Sequence, residues 1–330
     1  MTVDWEKVKK EGWERKDPNF FKILSIDGGG IRGIYPANFL AKVEERIGDR
    51  CHRYFDLMAG TSTGGIIAIA LSLGISAQEI VDLYVEKGKS IFKKRLLSSG
   101  MGLIRSKYTN KKLIKELQQT FGEKRIMDAK TLLCVPAVEH WKAKPKVYKT
   151  PHSSQFWIDG EKYAWEAAQA TSAAPYYFQA ASFEKECKLD GGLWANNPIT
   201  LAIAEAVNMG VPIEEIKVLS LGTGQNVYDG RNWLAKVGGG IPWNKRLLDV
   251  ILESQATGAL FTAQYLLRRE NLKRVNFTSE KQIRLDAVNK RDMDTLLREA
   301  EHSFQETFIK EGIAEFFDKT KVETNVIVGH

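Results

Sequence analysis

Two β-prone runs in this chain stop on glycine turns and give way at once to helical spacing, and that punctuation limits the fold most. Residues 20–26 (FFKILSI) run into Asp27-Gly28-Gly29-Gly30-Ile31-Arg32-Gly33, and residues 36–47 then show helical spacing. Residues 54–59 end on Gly60-Thr61-Ser62-Thr63-Gly64, and residues 66–73 follow with small and aliphatic side chains. A short apolar strand without polar alternation belongs in a sheet buried on both faces. Further β-prone runs at 131–138 and 216–221, the second ending in Gly222-Thr223-Gly224, keep the alternation going. Strands alternating with helices predict a three-layer α/β/α sandwich.

Past about residue 225 the texture changes. Residues 231–243 hold Trp233, Gly238-Gly239-Gly240, Pro242 and Trp243, which predicts an irregular loop. Residues 245–271 and 293–317 carry apolar side chains three and four apart, which predicts two long helices packed on the core. The expected division is an N-terminal extension (1–19), an α/β core (20–225) and a C-terminal helical region (226–330) of the same domain, with a possible regulatory surface.

Lys and Arg outnumber Asp and Glu by 48 to 41, a net charge of +7, which favours anionic partners such as phospholipid head groups or nucleotides. Residues 57–75 carry no charge, but their Gly, Thr and Ser content reads as strand end, turn and buried helix, not as a membrane span. The first residues alternate charges with Trp5 and Trp13 and lack the apolar stretch of a secretory signal. Cys51, Cys134 and Cys187 form no CxxC pair, so a reducing, cytoplasmic setting is expected.

Three glycine motifs carry the chemistry. Residues 27–33 fit GxGxxG and suit either a dinucleotide or the oxyanion of an acyl-transfer intermediate, because amides without Cβ atoms can converge on an anion. The dinucleotide reading wants an acid at the end of the second strand, whereas the nearest, Asp56, stands near its start. Gly60-Thr61-Ser62-Thr63-Gly64 is a GxSxG turn between strand and helix. Such an elbow lifts a serine hydroxyl above the sheet, although a Gly/Ser/Thr turn without chemistry has the same composition. Asp190-Gly191-Gly192 follows a fifth β-prone run, residues 183–189. None of the five histidines (His52, His140, His152, His302, His330) sits in such a turn, and a partly desolvated carboxylate can serve as base instead.

In this order the three motifs resemble the patatin-like phospholipase family, with its DGGGxRG segment, GxSxG elbow and DGG or DGA aspartate. Asn196-Asn197-Pro198 and Ser220-Leu221-Gly222-Thr223-Gly224 add to the resemblance, which covers about residues 20–225. It implies a patatin-type sandwich and metal-independent hydrolysis of fatty-acyl esters by a Ser62–Asp190 dyad. Gly28, Gly29 and Gly30 would supply oxyanion donors and Arg32 would brace the segment, with Asp27, Gly33, Gly60, Gly64, Gly191 and Gly192 as supporting residues.

Within the family the wording is most similar to bacterial effectors of cyclic-oligonucleotide antiphage signalling. That implies a cyclic dinucleotide activator held in a separate anionic pocket, with the Arg and Lys positions of residues 226–291 as candidates. No nucleic-acid polymer is expected as a partner, and the oligomeric state is open. Residues 87–112 hold nine Lys and Arg and no acid, interleaved with apolar residues. Lys93, Lys94, Arg95, Arg105 and Lys107 are therefore candidate lid or membrane contacts, for peripheral docking at the inner face of the membrane. A carboxylesterase for soluble esters and a non-catalytic dinucleotide-binding protein stay open as alternatives.

Overall fold

The computed structural model describes residues 3–93, 106–183, 186–226, 247–279, 281–318 and 326–327. Eight strands form the main sheet: β1 (Phe21–Ile26), β2 (Leu57–Gly60), β3 (Leu132–Glu139), β4 (Lys144–Lys149), β5 (Ala181–Phe183), β6 (Glu186–Asp190), β7 (Ile216–Leu221) and β8 (Leu272–Val275). Their order is β8-β7-β1-β2-β3-β6-β5, with β4 pairing β3. The pairs among β8, β7, β1, β2 and β3 are parallel, and those involving β4, β5 and β6 are antiparallel.

Every residue of β1, β2 and β7 is buried, as strands covered on both faces must be. Side-chain alternation divides them between two cores. Leu24, Ile26, Met58, Leu133, Leu219 and Leu221 pack into one core with helices α1 (Ile34–Ile47), α2 (Thr63–Ser72), α3 (Ala77–Ile91), α4 (Asn110–Phe121) and α5 (Ala164–Thr171). Phe21, Ile23, Leu57, Leu132, Ile216 and Val218 pack into the other with α6 (Ile199–Asn208) and α7 (Leu247–Leu266). The third layer predicted from strand–helix alternation is thus present. All ten residues of α2 are buried, which explains the uncharged stretch at 57–75: it is β2, a turn and a core helix. No helix among the described residues is long and apolar enough to cross a membrane.

The C-terminal region differs from its expected all-helical character. α7 and α8 (Lys290–Thr307) form, and α8 packs along α1. The second predicted helix breaks near Gly312, whose φ is +73°, and resumes as a short 3-10 turn, Ile313–Phe317, that buries Phe316 and Phe317 against Phe55. Between α7 and α8 the chain adds β8 to the edge of the sheet beside β7. A four-residue run with two basic residues, Lys273 and Arg274, carries no strand signature in isolation. The loop predicted at 231–243, with Trp233 and Trp243, lies outside the described residues.

Candidate active site

Two of the glycine motifs leave the carboxyl ends of the parallel strands β1 and β2; β6 runs the other way but pairs with only the last residues of β3, Asp190 opposite Ala137, which brings the third motif to the same edge. At the end of β2, Ser62 has φ 54° and ψ −120°, a left-handed conformation that a residue with a Cβ adopts only when its surroundings impose it. What imposes it is crowding between strand and helix. A Cβ at Gly60 would run into the carbonyl of Gly64, and one at Gly64 into the carbonyl of Ile26. The elbow can therefore turn only with glycine at both places, as the GxSxG pattern predicts.

Asp190 ends β6. Its backbone amide donates to the Ala173 carbonyl at 3.1 Å, and its Oδ1 accepts the Gly192 amide at 2.7 Å. Burial pushes its carboxyl up from the ordinary 3.8 to about 7, while hydrogen bonds from the Gly192 amide and the Ser62 side chain pull the other way. Ser62 and Asp190 line the same cavity, which encloses about 780 Å³ including its open mouth. Its wall is chiefly apolar: Ile66, Leu83, Ile91, Leu113, Leu117 and Phe178 come from α2, α3, α4 and the stretch after α5. None of the four described histidines lines it; His152 is buried elsewhere, 2.8 Å from Glu205.

The loop after β1 lies beside the serine, since a Cβ at Gly28 would stand 3.3 Å from that of Ser62. The three glycines are not equivalent. The Gly28 amide already donates to the Asn196 carbonyl at 2.9 Å, which corrects the expectation that it serves as an oxyanion donor. Among the described residues the amides of Gly29 and Gly30 have no hydrogen-bond partner, and both residues line the cavity. Arg32 reaches out of the segment, with Nη1 3.3 Å from the Gly224 carbonyl and 3.7 Å from Glu253. A Cβ at Gly33 would strike the Thr63 side chain, and one at Gly191 the Pro136 carbonyl, so both supporting glycines mark close backbone approaches.

Two residues of the site carry no motif. Thr171, at the end of α5, accepts the Ser62 amide at 2.9 Å through Oγ1, donates to the Pro136 carbonyl at 2.6 Å, and accepts the Gly191 amide at 3.2 Å through its own carbonyl. It joins the serine turn to the aspartate turn. Arg274, on β8, grips Asp27 with both terminal nitrogens, at 2.9 and 2.6 Å. That bidentate pair fixes the start of the glycine loop.

Other expected features resolve differently. Asp56, the acid weighed for a ribose hydroxyl, is fully buried and accepts Trp13 Nε1, the Lys16 amide and the Lys22 amide, so it holds the strand edge together. Lys107 is not a free surface cation: it pairs with Asp286 and stands over the Tyr108 and Tyr177 rings. Lys93 is exposed just beyond α3, whereas Lys94, Arg95 and Arg105 lie outside the described residues. No group of three or more potential metal ligands occurs among the described residues.

The model of the patatin-like phospholipase family matches residues 24–203. The chain is 33% identical over 242 residues to a cGAMP-activated phospholipase of Pseudomonas aeruginosa, a match covering 71% of this chain and 72% of that protein. It is 35% identical over 224 residues to a protein of the same description from Escherichia coli, covering 61% of this chain and 62% of the relative. The Vibrio cholerae counterpart is 34% identical over 230 residues, covering 62% and 64%. Among solved structures, VipD from Legionella pneumophila aligns over 89% of this chain and 71% of its own, with a TM-score of 0.42 and 13% identity.

Proposed function

Because the chain belongs to the patatin-like phospholipase family, we propose that it hydrolyses fatty-acyl esters of membrane phospholipids through Ser62 and Asp190. Ionised Asp190 accepts the Ser62 proton as Oγ attacks the acyl carbonyl carbon, and the Gly29 and Gly30 amides donate to the oxyanion. Collapse breaks the ester bond. The leaving alcohol takes the proton from Asp190 and departs as the lysophospholipid, while the acyl group stays on Ser62. Water then gives a proton to Asp190 and attacks the acyl-enzyme, releasing the fatty acid and restoring the serine. No metal or organic cofactor takes part.

The observation that carries this reading is the buried carboxylate beside the strained serine, at the wall of an apolar cavity. A base whose pKa lies near 7 is matched to proton transfer at neutral pH. We further propose that a cyclic dinucleotide switches the activity on, as the names of the bacterial relatives say of those proteins. A membrane-degrading enzyme held off until signalled suits antiphage defence, with action at the inner face of the membrane.

The test is fatty-acid release from phosphatidylethanolamine–phosphatidylglycerol vesicles by wild type and Ser62→Ala, with and without cGAMP. Wild type releases fatty acid, more with the activator, and Ser62→Ala falls by about three or more powers of ten. Undiminished turnover in Ser62→Ala refutes the dyad. Turnover that fails to rise on vesicles over a soluble ester favours a carboxylesterase instead.

A further inference from the structure

A second cavity lies behind the glycine loop. It encloses about 780 Å³ of space, its open mouth included. Its position follows from topology. β1 continues through α1, on one face of the sheet, to β2, whereas its neighbour β7 continues through α7, on the other face, to β8. The chain thus leaves two adjacent parallel strands in opposite directions, which opens a crevice above their carboxyl ends, the usual binding place of an open α/β sheet. Asp27 and Gly28 after β1, Gly224 and Gln225 after β7, and Asn276 after β8 line that crevice.

Its chemistry is unlike that of the acyl cavity. Arg32 and Arg274 both face it, as do the carboxylates of Glu253, 3.7 Å from Arg32, and Asp27, clasped by Arg274 at 2.6 Å, so an anion enters only by taking up guanidinium donors these leave over. Arg32 is 5% exposed, and its Nε is buried with no hydrogen-bond partner among the described residues. A guanidinium has five N–H donors, so Arg32 keeps donors in hand where water is scarce. Asn276 uses its Oδ1 to accept the Gly224 amide at 2.8 Å, which turns its Nδ2 donors to other partners. Ala256 and Leu260 of α7 and the Phe277 ring give the crevice an apolar side. Two guanidinium groups, side-chain amides and a flat apolar wall are the complement of a phosphodiester bearing a base.

The geometry points to this crevice as the site of a cyclic dinucleotide that controls the catalytic cavity through the glycine loop. This inference rests on the regulated phospholipase proposed above. The coupling is short. Gly28 lines the crevice, while Gly29 and Gly30, the next two residues, line the acyl cavity with their amides unpaired. A ligand phosphate at Arg32 and Arg274 contacts the groups that hold Asp27 and Gly224, and so biases where the two oxyanion donors point. Only a ligand that binds one loop arrangement more tightly than the other can act this way.

Binding is measured by titration calorimetry on the full chain carrying Ser62→Ala, with cGAMP, cyclic di-AMP and cyclic di-GMP as probes. Two further variants act on the crevice alone. Ala256→Trp fills it from α7, and Asn276→Asp keeps the acceptor for the Gly224 amide while setting a carboxylate against the phosphates. At least one probe binds, and each variant weakens it tenfold or more at an unchanged melting temperature. Should Ala256→Trp fail to fold, Asn276→Asp decides. Equal affinity in the folded variants overturns the inference, as does the absence of binding by all three probes. Because binding is read in a chain without its nucleophile, failure of the site is distinguishable from failure of the hydrolase reading.

Discussion

Replacing the buried Asp190 carboxyl should make this protein sturdier at neutral and alkaline pH. Asp190 is 4% exposed, and its carboxyl rises from 3.8 to about 7 chiefly through burial. That rise disfavours the ionised form by on the order of 4 kcal/mol. Since the folded pKa lies above the unfolded one, the associated stability is complete below about pH 4 and is lost as pH climbs through about 7. Asp190→Asn removes the charge and retains an oxygen for the Gly192 amide. Taking an unfolded pKa of about 3.9, the variant should gain roughly 2.5 kcal/mol more over wild type at about pH 8 than at about pH 5. Urea denaturation of both proteins at the two pH values measures this. The same substitution should abolish esterase turnover, and wild-type kcat/KM should rise with pH to a plateau through an inflection near 7. A stability difference that does not vary with pH, together with an inflection near 4, would refute the account of Asp190 as a desolvated base.

Thr171→Val keeps the shape of the side chain but removes the acceptor of the Ser62 amide and the donor to Pro136, so kcat should drop about 10–100-fold for a loss of roughly 1–3 kcal/mol, read from steady-state kinetics on a nitrophenyl ester. Gly29→Ala drives a Cβ into the Thr223 side chain and displaces a free amide; kcat should fall about 10²–10³-fold with KM little changed, and an unaltered kcat would exclude this amide as an oxyanion donor. Leu117→Trp fills the apolar cavity from α4, so activity on long-chain esters should fall while that on acetyl or butyryl esters persists; an unchanged chain-length profile would show that the acyl group lies elsewhere.

The parts of the site readable in the sequence were those with a local steric cause. Gly60 is fixed by the Gly64 carbonyl within one strand–turn–helix unit, and Gly64 by the Ile26 carbonyl of the strand alongside, so five letters of a strand–turn–helix pattern announce both. Asp190 could be found because its turn has the same glycine punctuation and because no histidine stood in a comparable place. Thr171 and Arg274 had no such signal: each acts through partners far along the chain, Pro136 and Asp27, that only the closed sheet brings near. Gly28 was misassigned for the same reason, since its amide partner is the Asn196 carbonyl, and no residue pattern shows where a carbonyl will point. Lys107 looked like surface charge within a basic run until Asp286, from the far end of the chain, neutralised it. Strand β8 escaped notice because an edge strand of four residues needs no apolar alternation when one neighbour supplies its register.

The clasp between Asp27 and Arg274 spans 247 positions of the chain, and the second of these residues lies well past the segment, 24–203, that the family model matches. Excising that segment as a minimal enzyme would strand a buried carboxylate at the root of the glycine loop and, by removing β7 and β8 together, bare the edge of β1. Removing one partner of a buried ion pair typically costs about 3–5 kcal/mol, a large share of what holds a domain together. The last hundred residues are therefore no appendage: whichever activity the first two hundred encode, they cannot be expected to perform it on their own.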